Sequence, residues 1–185
     1  MAGTIVNRRV GEAESHHGAP YPFGESDFGR LRVIVVFTTI EGTLPALKSA
    51  AKFAQALSTE ITLLVTQAVY FRYPVETPPV SPVFLHRLCV ALIEELQLDT
   101  DAISIDIRFC RQQEQCLQVT LKPRSVVVIG AKKRWWWMSE RKLERALKQM
   151  GHEVLLVNAA AGDYKVRAKS VIHRLGELMA KASLR

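Results

Sequence analysis

The chain has 185 residues, 48% of them hydrophobic, which is enough for one domain with a full core and too few for two of ordinary size. No uncharged apolar run reaches the roughly 18 residues of a spanning helix, and residues 1–30 lack the apolar core of a secretory signal, so a soluble cytoplasmic protein is expected. The formal charge of +7 is local: residues 130–150 hold seven cations against Glu140 and Glu144, net +5, and residues 161–185 hold six against Asp163 and Glu177, net +4, leaving −2 elsewhere.

Residues 1–29 are rich in Gly, Pro, His and acids without sustained periodicity, the composition of a flexible tail. His16 and His17, adjacent within it, read as solvated. From Leu31 the pattern changes. LRVIVVF (31–37) is a β-branched, nearly continuous apolar run, suited to a strand buried on both faces of a parallel sheet. After a polar turn, Leu44, Leu47, Ala51, Ala54 and Leu57 recur at helical steps. ITLLV (61–65), extending towards Val69, is the second strand. A proline-rich loop then leads to Ser81-Pro82, a helix start with a hydroxyl cap and proline in the first turn. Phe84, Leu85, Leu88, Cys89, Leu92, Ile93 and Leu96 share one face of that helix.

AISIDIRF (102–109) alternates as a half-solvated strand does, which puts it at an edge. A short helix over 112–121 ends before Pro123. SVVVIG (125–130) is apolar enough to be central. Residues 139–150 read as a helix stopped by Gly151, and EVLLVN (153–158) is the fifth strand. Residues 164–185 repeat Ala168, Val171, Ile172, Leu175, Leu178, Met179 and Ala182 at helical spacing, either packed on a protein surface or laid as a basic amphipathic helix on an anionic one.

Strands alternating with helices predict right-handed crossovers and a three-layer α/β/α sandwich, with a five-stranded parallel sheet of order 3-2-1-4-5 plus a C-terminal helix. The expected divisions are a tail at 1–29, an α/β domain at 30–160 and the helix at 161–185. In such a sheet, ligands bind beyond the carboxyl ends of the two central strands. That switch point lies between Thr38-Thr39 and the segment GAKKRWWWMSER (130–141).

The order of elements, VVVIG at the fourth strand, the loop into a helix and the terminal EVLLV strand resemble the universal stress protein family over roughly residues 31–158. The resemblance implies an adenine-nucleotide alpha hydrolase-like fold, a regulatory role without catalysis, and dimerisation along the terminal strand through Val154, Leu155, Leu156 and Val157. Nucleotide-binding members carry an aspartate after strand one and a G-x2-G-x9-G-[ST] loop after strand four. Here Gly130 fits the first glycine and Ser139 the hydroxyl, but Lys133 and Leu143 stand at the other glycines and Thr38 at the aspartate. Loss of the family's ATP-binding mode is therefore expected. Lys132, Lys133, Arg134 and Arg141 near a helix N-terminus offer a different way to hold an anion.

Trp135, Trp136 and Trp137 cannot all face one core if helical, because successive side chains point about 100° apart. Intrachain packing, a protein interface and base stacking compete for them. Cys89, Cys110 and Cys116 form no C-x-x-C pair and read as reduced structural thiols. His86, His152 and His173 read as surface residues, and no nucleophile elbow, Walker loop or H-E-x-x-H motif is present. Three functions remain. One is a non-enzymatic, homodimeric regulator of the universal stress type acting on a protein partner. Another is a sensor of ATP or another anionic nucleotide at Thr38, Thr39, Gly130, Lys132, Lys133, Arg134, Ser139 and Arg141. A third is a basic peripheral regulator of a membrane transporter, or a nucleic-acid binder.

Overall fold

A computed structural model of the chain describes residues 6–7, 31–121, 125–131, 137–159 and 162–182; the side chains of 6–7, 137–139, 162–163 and 178–182 fall outside that description. In chain order the elements are β1 (Val6–Asn7), β2 (Val33–Val36), α1 (Ile40–Leu57), β3 (Ile61–Ala68), α2 (Pro82–Glu95), β4 (Ile103–Cys110), α3 (Gln113–Thr120), β5 (Val126–Ala131), α4 (Trp137–Gln149), β6 (Glu153–Asn158) and α5 (Gly162–Ala182).

Five strands are parallel and run β4-β3-β2-β5-β6 across the sheet, which is the order 3-2-1-4-5 expected from the alternation of strands and helices. β2 is central because its four residues are apolar on both faces: Val33 and Val35 pack with α1, α2 and α5, while Ile34 and Val36 pack with α3 and α4. All four are buried. Two cores of unequal size therefore flank one sheet, the larger beneath three helices and the smaller beneath two.

Two differences from expectation lie at the sheet edge and at a cap. Val6–Asn7, inside the segment read as a tail, pairs antiparallel with Phe109 and Arg108, so β4 is not the outermost strand. Sequence periodicity cannot detect a two-residue pairing across a hundred residues of chain. Pro82 does occupy the first turn of α2, but the Ser81 side chain makes no capping hydrogen bond.

α1 starts four residues before its first expected apolar position. The Thr39 hydroxyl accepts from the Gly42 amide at 3.0 Å, satisfying one of the four donors that a helix start leaves open, and the Thr39 carbonyl accepts the first helical bond, from Thr43 at 2.8 Å. Gly42 and Pro45 lie inside the helix, whose first turn covers residues read in the sequence as a polar turn.

α4 ends as its sequence indicates. Gly151 takes φ +85°, His152 N donates to Leu147 O at 3.1 Å and Gly151 N donates to Lys148 O at 3.0 Å, the paired bonds of a Schellman motif. α1 and α2 end in the same way, but with Ser58 (φ 49°) and Gln97 (φ 55°) at the left-handed position.

α5 packs on α1 and α2. Ala168, Val171 and Leu175 are buried there, Arg174 reaches Glu95 at 2.5 Å, and Arg167 donates to the Glu95 carbonyl at 3.2 Å. Two of the cations that made this segment read as basic are thus turned to the domain. Among the described residues no helix is long and apolar enough to cross a membrane.

Candidate functional site

The carboxyl ends of β2 and β5 meet the N-terminus of α1, and the site there is built from Thr38, Thr39, Gly42 and Gly130. Thr38 follows β2 and its hydroxyl donates to the Gly130 carbonyl at 2.9 Å. Thr39 is occupied in capping α1. The two residues expected to face a ligand therefore spend their hydroxyls on the protein's own backbone.

Gly130 lies in β5 directly against Gly42 of α1. A Cβ at Gly130 would come within 1.7 Å of the Gly42 carbonyl oxygen and 2.4 Å of its carbon. The reciprocal Cβ, at Gly42, would meet Gly130 O at 2.7 Å. Two residues without side chains let helix and strand backbones touch at the carboxyl end of β5. Gly130 has a packing role here, whereas the resemblance assigned it to a phosphate loop.

The remaining candidates divide. Lys132, Lys133, Arg134, Trp135 and Trp136 lie outside the described residues, as do the side chains of Trp137 and Ser139, whose backbones belong to the first turn of α4. Arg141 is exposed on α4. Only residues 132–136 separate β5 from α4, fewer than the span from the first to the last glycine of a G-x2-G-x9-G loop. Glu140, read in the sequence merely as an offset to nearby cations, is buried with 5% exposure.

Val154, Leu155, Leu156 and Val157 are half-buried on β6. Leu155 and Val157 pack towards the larger core, Val154 and Leu156 towards the smaller. These side chains belong to the two faces of their own sheet. β6 pairs with β5 on one side, and among the described residues no strand pairs with the other, so what it presents there is backbone.

Gly42 is the residue at this place that sequence reasoning missed. Its only signal is a glycine three residues after a threonine cap, and that signal does not reveal the facing glycine. His152, read as a surface residue, is 7% exposed, and its buried Nδ1 has no hydrogen-bond partner among the described residues. Burial lowers its pKa below 6.5, which keeps the ring neutral at neutral pH.

On the same carboxyl edge of the sheet, after β3 and β4, Arg111 donates from Nη1 to the carbonyls of Val69, Tyr70 and Tyr73 at 3.1, 2.7 and 2.9 Å, and its guanidinium lies 5.3 Å from the Phe71 ring. This clamp fixes the loop after β3 and leaves Tyr70 and Phe71 exposed. Among the described residues no group of three or more His, Cys, Asp or Glu side chains could hold a metal ion.

Comparison with models of known protein families, with curated proteins and with solved structures finds no match to this chain.

Proposed function

We propose that the chain is a non-enzymatic regulatory protein of the universal stress type, acting as a homodimer in which the family's mode of ATP binding is lost. The observation that carries this reading is the contact of Gly42 with Gly130, sealed by the Thr38 hydroxyl. A nucleotide phosphate at the switch point needs backbone amides open to it and room for its oxygens. Here the Gly42 amide is already bonded to the Thr39 hydroxyl, and the Gly42 and Gly130 backbones are in close contact. The short connection from β5 to α4 supports the same reading. Dimerisation is supported by the outer edge of β6, whose backbone groups would template pairing with a second copy.

The test is a titration of intrinsic tryptophan fluorescence with ATP and AMP, since all three tryptophans, Trp135, Trp136 and Trp137, follow β5 directly. A flat response up to millimolar ligand is expected. A saturable change at micromolar nucleotide would replace this reading with that of an anionic-nucleotide sensor using Lys132, Lys133 and Arg134.

A further inference from the structure

The chain leaves β3 at Ala68 and turns between Tyr70 and Tyr73, whose amide donates to the Tyr70 carbonyl at 3.0 Å. Phe71 and Arg72 stand at the two corners of that turn. Its base is tied down twice: Arg111 Nη1 bonds the carbonyls of Val69, Tyr70 and Tyr73, and the Val69 amide donates to the Cys110 carbonyl at 2.8 Å. The tip so fixed carries the two most exposed large hydrophobic side chains among the described residues, Phe71 at 84% and Tyr70 at 75%. Neither ring belongs to either core. Holding two aromatic rings out in water adds nothing to the stability of the fold.

Guanidinium groups are interleaved with these rings. Arg72 lies 4.9 Å from the centroid of Tyr73 and Arg111 lies 5.3 Å from that of Phe71. Arg72 makes no hydrogen bond or ion pair among the described residues, and Arg111 spends only Nη1, so most of their donors are unused. Residues 69–81 hold one acid, Glu76, and the whole chain is at +7. Two features choose the occupant. Exposed ring faces suit a flat π-system, and unused guanidinium donors beside them suit an anion with paired oxygens. An apolar protein surface would desolvate Arg72 without a counter-charge. A single-stranded nucleic acid supplies a base and a phosphate at every step, whereas a duplex hides its base faces in its own stack.

We propose that the turn from Tyr70 to Tyr73 is a stacking platform for single-stranded nucleic acid. Phe71 and Tyr70 take the base faces, and Arg72 and Arg111 take the phosphates. The site uses none of Thr38, Thr39, Gly42 and Gly130, so it stands or falls separately from the regulatory function proposed above.

The test is fluorescence anisotropy of a fluorescein-labelled oligothymidylate of about 12 nucleotides, titrated with the full chain, with a duplex of the same length for comparison. Saturable binding at micromolar protein is expected, weaker for the duplex. Two phosphate contacts on a single strand predict that affinity falls roughly sevenfold between about 50 and about 200 mM KCl. Phe71→Ala and Tyr70→Ala leave the charge unchanged and touch neither core, and each should weaken binding about fivefold or more, while Phe71→Trp should retain it. Arg72→Gln should about halve the salt slope. Anisotropy that stays flat to about 100 μM protein would overturn the proposal and leave the tip as a protein contact. Wild-type affinity in both alanine variants would overturn it too, by placing the binding on the basic segments 130–150 and 161–185, as would a duplex bound as tightly as the single strand.

Discussion

Gly130→Ala tests the contact between α1 and β5 through its energetics. The new Cβ would sit 1.7 Å from the Gly42 carbonyl oxygen, and since real Cβ contacts stay beyond 3.0 Å, α1 must move off the sheet by about 1.3 Å. A gap of that size removes about half or more of the dispersion attraction across an interface. Leu44 and Leu47, both wholly buried beneath α1, are each worth about 2 kcal/mol of burial. Losing half of that from each, the Thr38 hydrogen bond at about 1 kcal/mol, and some packing at Ala46 and Ala50 brings the cost to roughly 4 kcal/mol. For a chain of this size that lowers Tm by about 8 to 16 °C. Gly42→Ala asks for only about 0.3 Å of movement, from 2.7 to 3.0 Å. It also gains helix propensity of up to about 1 kcal/mol, so its net cost should stay within about 1 kcal/mol. Urea unfolding followed by circular dichroism measures both variants. Gly130→Ala within about 1 kcal/mol of wild type, or Gly42→Ala the more damaging of the two, would refute the backbone contact and reopen the crevice as a ligand site.

Ser58→Gly and Gln97→Gly should each stabilise the chain by about 0.5 to 1 kcal/mol, because both positions end helices at positive φ on the exposed surface; thermal melts of the single and double variants check this, and a loss of stability in either would contradict it. His152, neutral in the fold with a pKa below its unfolded 6.5, contributes stability that is present above pH 6.5 and is lost as pH falls through 6.5 towards the folded pKa. Urea midpoints for wild type and His152→Asn between pH 7.5 and 5 should converge towards the acid side, by at most about 1.4 kcal/mol per pH unit; parallel curves would show that His152 is not the group responsible. Glu95→Gln should weaken the docking of α5 by about 1 kcal/mol, discounted for the 40% exposure of the Arg174 side chain, and hydrogen exchange over 162–182 should quicken while the sheet stays protected.

The fold was legible because its strongest signals are local. LRVIVVF and SVVVIG have no polar face, which leaves a strand only the middle of a covered parallel sheet, and both lie there as β2 and β5. Gly151 marked the end of α4 because glycine is the usual occupant of a left-handed cap, whereas Ser58 and Gln97 close the same motif with residues that carry no such signal. The site was legible only in position. Thr38 and Gly130 were correctly placed at the switch point, but the use of Thr38 as a donor to Gly130 depends on a pairing of residues 92 apart in sequence. Gly42 against Gly130 is likewise invisible until the chain is folded, since the pair has no spacing that a motif records. The half-burial of Val154 to Val157 follows from the sheet's own two cores, so their apolarity needs no second chain to explain it.

The most direct measurement is native mass spectrometry of the purified chain, which reads subunit number and retained ligand in one spectrum. Two copies without added nucleotide mass are the expected result, and the dimer should dissociate when proline replaces Leu155 or Leu156, whichever presents its amide at the outer edge of β6. A monomer at micromolar concentration would contradict the dimer. A nucleotide carried through purification would contradict the closed switch point.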